Sequence, residues 1–232
     1  MRLEYDGRVA VLDDNPALND KILELRDKNT KDREFRRILR EIGGHMAVAM
    51  SPYLPTREQK VISGMNEDAV AKVPKELYIV EISAAGIPFG EGFLDIYRRP
   101  HGAIVGAARN ETTLEPETGY VRFPNSFEGY HVAVVDPMNA TGGTAADNWI
   151  RAYKNGADFV ISVAVVSAPE GIEKLLDAKV ELQPHQKLPE DLGIPRHFTY
   201  AVDKCLNEKG YIIGPGLGDA GNRCYGTTNH NK

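Results

Sequence analysis

The segment Val134-Val135-Asp136-Pro137-Met138-Asn139-Ala140-Thr141-Gly142-Gly143-Thr144 places a carboxylate, two adjacent glycines and two threonines directly after an apolar run. Glycines let a backbone approach a ligand closely, and the N–H groups in the first turn of a following helix, aided by its dipole, make a site for a phosphate. Thr141 and Thr144 add hydroxyl donors for the same anion, and Asp136 is placed to meet hydroxyl groups beside it. Together these groups describe a sugar phosphate. The structural alternative is an ordinary strand-to-helix turn with Asp136 as a cap. This loop carries neither the Gly-x-x-x-x-Gly-Lys of nucleotide P-loops nor the Gly-x-Gly-x-x-Gly of dinucleotide folds, so a different phosphate ligand is required.

Such a loop needs a strand before it and a helix after it. Short, continuously apolar, β-prone runs occur at Leu77 to Ile82, Ala103 to Ala107, Val132 to Val135 and Phe159 to Val166. They are too apolar for a sheet with one wet face and read as buried, largely parallel strands. Between two of them, Ala146, Trp149, Ile150 and Tyr153 share one helical face, and Asn155-Gly156 supplies a stop. Strand, helix, strand in that order predicts a right-handed crossover in an open α/β sheet, whose ligands sit at the carboxyl ends of the strands. A further helix is predicted to start at Pro169 and to run through Ile172, Leu175 and Leu176. From about Thr30 to Met50, Phe35, Ile38, Leu39, Ile42, Met46 and Ala49 form an apolar stripe, with His45 read as a core residue on it. Arg33, Arg36, Arg37 and Arg40 fill the rest of that helix, as a solvated face or an anion site.

At 232 residues with 42% hydrophobic content, the chain can bury a large core, and one domain spanning residues 1–232 is the default. A net charge of −5 with dispersed basic residues argues against a nucleic-acid partner. No apolar run approaches the roughly 20 residues of a membrane helix, so a soluble, cytoplasmic protein without membrane contact is expected. Cys205 and Cys224 lack metal-ligand spacing and fit a reducing compartment, with a single disulfide left open.

The Asp136 to Thr144 loop resembles the 5-phosphoribosyl 1-diphosphate (PRPP) loop of type I phosphoribosyltransferases, in the form used by the uracil phosphoribosyltransferase branch. Ala108-Arg109-Asn110-Glu111-Thr112-Thr113-Leu114-Glu115-Pro116 is similar to that family's arginine-containing loop, and Ser167-Ala168-Pro169-Glu170-Gly171-Ile172 to the segment after its next strand. Leu206-Asn207-Glu208-Lys209-Gly210-Tyr211-Ile212-Ile213 and Gly216-Leu217-Gly218-Asp219-Ala220-Gly221 resemble its uracil-binding end. The similarity runs from about Asp20 to Thr227. It implies a type I phosphoribosyltransferase-like α/β fold: an open, mostly parallel sheet flanked by helices, an N-terminal helical segment at about 15–50 and a small C-terminal base-binding region at about 200–228.

The resemblance also implies transfer of ribose 5-phosphate from PRPP to a nucleobase, uracil first, giving UMP and pyrophosphate. Asp136, Pro137, Met138, Asn139, Ala140, Thr141, Gly142, Gly143 and Thr144 would hold ribose and 5-phosphate, and Arg109 the diphosphate. Ile212, Gly218, Asp219 and Ala220 would read the base, largely through backbone groups. Asp136, Arg109 and Asp219 are the catalytic candidates. Mg²⁺ would be held chiefly by PRPP oxygens and water, near Asp219 and without a direct protein ligand set. A homodimer or homotetramer is implied as well.

Three positions depart from the family's pattern. Ala84 stands where an arginine usually precedes the Ala-Gly pair of the first diphosphate loop, with Glu81 nearby as an added deterrent to an anion. Gly214 is an additional residue in the base loop, and Asn222 replaces an aspartate. Two other readings therefore stay open: a phosphoribosyltransferase for another heterocycle, and a PRPP- or nucleotide-binding protein without turnover.

Overall fold

The computed structural model describes residues 1–109 and 116–227. In chain order the elements are β1 (Arg2–Glu4), β2 (Val9–Val11), α1 (Pro16–Arg26), α2 (Asp32–Met50), β3 (Thr56–Ile62), β4 (Asp68–Pro74), β5 (Leu77–Ser83), α3 (Gly86–Ile96), β6 (His101–Arg109), β7 (Pro116–Arg122), β8 (His131–Val135), β9 (Met138–Asn139), α4 (Gly143–Lys154), β10 (Phe159–Ser167), α5 (Pro169–Leu176), β11 (His197–Val202), β12 (Cys205–Leu206), β13 (Ile212–Ile213) and α6 (Ala220–Tyr225). The main sheet has the order β1-β2-β11-β10-β8-β5-β6-β7, with β9 alongside β10. Pairing is parallel from β2 through β6, and antiparallel only at the two edges, β1–β2 and β6–β7.

All four apolar runs identified in the sequence lie in this sheet, in β5, β6, β8 and β10, and β8 and β10 are buried at every residue. Their side chains divide between two faces. Ala133 and Val135 join the core beneath α1, α2 and α3, whereas Val132 and Val134 join the core beneath α4. That two-sided covering is why the strands read as unbroken apolar runs. The α4 crossover packs through Trp149, whose indole N–H donates to the Val160 carbonyl at 2.8 Å, and Pro169 opens α5 at its first turn.

Helix α2 buries Phe35, Ile38, Leu39, Ile42 and Met46 completely. His45 departs from the expectation: it is exposed. Helix α3 lies against Gly43 and Gly44, and Tyr97 just beyond it bonds the Ala47 carbonyl, whereas His45 is left uncovered and Ala49 half-buried. Two arginines of α2 are matched to several acids, Arg37 with Glu34, Glu41 and Glu24, and Arg40 with Asp95 and Glu91. Arg36 pairs with Asp32 and also donates to the Cys224 carbonyl, tying α2 to the C-terminal segment. Both cysteines are free thiols, so no disulfide staples the fold.

Two hairpins are not visible as apolar patterns. In β3–β4 both faces are largely wet, and the short β1 adds to β2 at the sheet edge. No helix among the described residues is long and apolar enough to cross a membrane.

Phe35 joins the two ends of the chain, because it is fully buried and the Arg223 guanidinium lies 4.4 Å from its ring centre. Phe35→Ala is expected to lower unfolding free energy by about 3–5 kcal/mol, the scale for truncating a buried aromatic ring, in urea denaturation followed by circular dichroism.

Candidate active site

At the carboxyl end of β8 the chain turns without leaving the sheet. The Asp136 N–H donates to the Val163 carbonyl, and the Pro137 carbonyl accepts from both Val165 and Val166. Met138 and Asn139 then pair with Val166 and Ser167 as β9. Asp136 Oδ1 accepts from the Met138 N–H at 3.2 Å, a turn made by an aspartate onto its own backbone two residues on. Its half-buried carboxylate faces a cleft of about 370 Å³ lined by Asp136, Met138, Asn139, Ala140, Thr141, Gly142, Thr144 and Ala145. The structure thus gathers into one cleft most of the loop selected from the sequence; Pro137, bonded to β10, and Gly143, the first residue of α4, do not line it.

Helix α4 begins at this cleft with Gly142 as its N-cap and without a side-chain cap. Its first-turn N–H groups and the positive end of its dipole therefore have no side-chain cap, an arrangement suited to an anion. The glycines divide their work differently from the sequence reading. Gly142 has φ of 78°, and a Cβ there would lie 2.5 Å from the Gly171 carbonyl oxygen. Its bareness serves close packing of the loop on α5, and Gly143 is the first helical residue. Asn139 is 2% exposed, and its side-chain amide has no hydrogen-bond partner among the described residues.

Next to this loop, β5 ends at Ser83, and the Ser83–Ala84 peptide is cis. Ala84 is exposed, and its carbonyl accepts from the Tyr225 hydroxyl at 3.3 Å, which links the loop to α6. Glu81, expected as a nearby deterrent to an anion, is turned away from solvent. It is 5% exposed and lies against α3, where a Cβ on Gly90 would fall 2.4 Å from its Cγ. Burial, reinforced by Glu91, pushes its carboxyl up to about 7, and Oε1 has no partner among the described residues. A largely uncharged carboxyl below that value opposes an anion far less than a surface carboxylate would. The arginine-containing loop falls at residues 110–115, outside the described residues, as does the Arg109 side chain; the Arg109 backbone ends β6 opposite Pro116.

The C-terminal segment docks on its neighbours. The Leu206 N–H donates to Glu170 of α5, and α6 packs on α2. Ile212 and Ala220 are buried, Gly218 is exposed, and Asp219 caps α6 by accepting from the Asn222 N–H at 2.8 Å. Asn222 Oδ1 in turn accepts from the Thr227 hydroxyl at 2.6 Å, so this departure from the family pattern is used within the last turn. Gly216 to Gly221 spell Gly-x-Gly-x-x-Gly, but they follow the antiparallel β12–β13 pair and open a six-residue helix, not the crossover of a dinucleotide fold.

Sequence reasoning missed one group here. Arg26, at the end of α1, forms a two-pronged pair with Asp203, Nη1 to Oδ2 at 2.7 Å and Nη2 to Oδ1 at 2.9 Å. Both then engage the backbone of Gly216. The only signal in the sequence was an arginine closing an N-terminal helix, which is ordinary for its dipole.

Solved structures share this architecture. The AQ2163 protein of Aquifex aeolicus is similar with a TM-score of 0.79 at 30% identity, over 94% of this chain and 98% of that one. The adenine phosphoribosyltransferase of Trypanosoma brucei has the same fold, with a TM-score of 0.55 at 13% identity over 90% of each chain. Parallel sheet and strand-end loops together define a type I phosphoribosyltransferase. The uracil phosphoribosyltransferase family profile matches residues 11–227. The uracil phosphoribosyltransferases of Dictyoglomus turgidum and Bacillus velezensis are each 38% identical, over 94% of this chain and 100% of the relative in the first case and 95% and 99% in the second. The chain belongs to the uracil phosphoribosyltransferase family.

Two measurements check this geometry. Gly142→Ala should destabilise by about 1–3 kcal/mol, since it places a side chain in a left-handed conformation against α5, whereas Gly143→Ala, at a helical position, should be neutral or stabilise by up to about 1 kcal/mol in the same urea titration. For Glu81, the folded carboxyl holds its proton above the ordinary 4.5, so the stability is fully present below about 4.5 and is lost as pH rises through about 7. Glu81→Gln should flatten that fall by up to about 3 kcal/mol between pH 4.5 and 8, read as the slope of melting temperature against pH.

Proposed function

We propose that this chain transfers the 5-phosphoribosyl group of PRPP to uracil, giving UMP and pyrophosphate, in the cytoplasm. The observation that carries the reading is the Asp136 to Thr144 loop, closed against β10 and opening onto the uncapped start of α4. In this reading the 5-phosphate sits on the first-turn N–H groups of α4 with Thr141 and Thr144, and the Asp136 carboxylate accepts from the ribose hydroxyls. Arg109 neutralises the diphosphate with paired donors. The base lies along the backbone of Ile212 and Gly218 to Ala220, whose alternating N–H and carbonyl groups match the edge of uracil.

The reaction is displacement at the anomeric carbon. A bond forms from N1 of uracil to C1 of the ribose, the bond from C1 to the diphosphate oxygen breaks with its electron pair leaving on pyrophosphate, and the N1 proton passes to water or to that pyrophosphate. The protein's part is to hold both ligands in line and to stabilise negative charge on the departing diphosphate. Mg²⁺ supplies further neutralisation when bound with PRPP. Asp219 Oδ1 already caps α6 and the described residues hold no cluster of carboxylates, thiols and imidazoles, so in this reading the cation is held chiefly by diphosphate oxygens and water.

Ala84 leaves the diphosphate with one cation fewer, so Arg109 carries more of it. The exposed Ile62, Met65 and Val70 of the β3–β4 hairpin support assembly as a homodimer or homotetramer, to be checked by light scattering.

With PRPP and Mg²⁺, uracil should yield UMP and stoichiometric pyrophosphate. Turnover only with another heterocycle would transfer the reading to that base, and PRPP binding without turnover on any base would make the chain a binding protein. Arg109→Ala should weaken PRPP by at least about 2 kcal/mol in calorimetry, and an unchanged affinity would remove Arg109 from the site.

A further inference from the structure

The segment from Gly214 to Asp219 has little means of holding its own shape. Gly214, Gly216 and Gly218 all have positive φ, and the Gly214–Pro215 peptide is cis. Three glycines in six residues carry high conformational entropy, and Leu217 is the one apolar side chain among the six that is buried. A loop that reads a base with backbone N–H and carbonyl groups must nevertheless present them in one arrangement, because hydrogen bonding weakens steeply with misalignment.

The restraint comes from the other end of the chain. Asp203 Oδ2 accepts from the Gly216 N–H at 2.7 Å, and Arg26 Nη1 donates to the Gly216 carbonyl at 3.0 Å. Arg26 and Asp203 are in turn locked together by their two-pronged contact, with side chains 14% and 5% exposed. One residue further on, Arg223 donates to the Leu217 carbonyl at 2.7 Å and to the Asp27 carbonyl at 2.5 Å. The end of α1 thus holds the segment in two ways, directly through Arg26 on the Gly216 carbonyl and indirectly through Arg223, which bridges the Asp27 and Leu217 carbonyls. Charge-assisted bonds shielded from water are the strong ones, and each here acts on backbone.

The additional residue of this chain lies upstream of the grip. The Gly214 carbonyl accepts from the Lys204 N–H at 3.3 Å, and a Cβ on Gly214 would fall 2.7 Å from Lys204 Cβ. Gly214 is therefore absorbed beside Lys204, and the clamp on Gly216 resets the backbone before Gly218 and Ala220.

We infer that Arg26 and Asp203 are positioning residues for base recognition: they hold the Gly216 peptide and thereby set the affinity of the Gly218 to Ala220 backbone for the base, without touching it. The inference rests on the proposed uracil site, so its test has one arm that needs no turnover.

In the intact protein, Arg26→Gln and Asp203→Asn should each raise the KM for uracil at least tenfold, while the KM for PRPP and kcat stay within threefold. Arg26→Lys keeps the charge but not the fork, and should fall between the wild type and Arg26→Gln. Hydrogen exchange at the Gly216 amide should quicken at least a hundredfold in Arg26→Gln, with the amides of β8 and β10 unchanged. An unaltered uracil KM, or KM values for both substrates rising in parallel with a loss of β8 and β10 protection, overturns the inference. Should the wild type fail to use uracil, the proposed function fails on that result alone, and the exchange arm still decides the clamp: a Gly216 amide as protected in Arg26→Gln as in the wild type sinks it.

Discussion

Parallel pairing of β5, β8 and β10 is the constraint on which the rest depends. Strands that run the same way end on the same edge, so the chain leaves Ser83, Val135 and Ser167 toward one side of the molecule. Each return needs a crossover, and α3 and α4 supply two of them while covering opposite faces of the sheet. The geometry that puts the diphosphate-type loop, the phosphate-type loop and the start of α5 together is the same geometry that buries the strands on both sides.

The two ends of the site achieve order by different means. At the phosphate end the loop is short and stitched to its neighbour: Pro137 accepts two bonds from β10, and Gly142 lets the loop settle directly on α5. Its N–H groups are then pre-aligned by a regular helix, α4. At the base end a glycine-rich segment has no regular element to align it, and the alignment is imported from α1 through Arg26 and from the C-terminal turn through Arg223. One end of the site is thus ordered by an element made locally and the other by contacts made at long range.

The departures from the family's pattern are absorbed locally. Glu81 fits because Gly90 offers no side chain on the facing helix, and its burial removes much of the charge that would oppose an anion. Asn222 works inside the terminal turn, and Gly214 is taken up beside Lys204. Ala84 alone changes what the site presents to a ligand, since a methyl group stands where the family has a cation.

What the sequence by itself determined is whatever depends on neighbours along the chain. Continuous apolar runs marked β8 and β10 because burial on both faces leaves no alternation, and the Asp136 to Thr144 pattern marked a strand-to-helix loop because φ and the start of a helix are set within a few residues. Helix α2 was legible from its stripe, but not its rim: His45 is left uncovered while α3 lies against Gly43 and Gly44, which periodicity alone does not choose. The β3–β4 hairpin was hidden because both its faces are wet, and Glu81 was misread because its surroundings are set by Gly90 of another helix. Arg26 and Asp203, 177 positions apart, carried no local signal at all. Only tertiary structure could pair them, since a charge-assisted contact is specified by distance and shielding from water, and both are properties of the folded chain rather than of either residue.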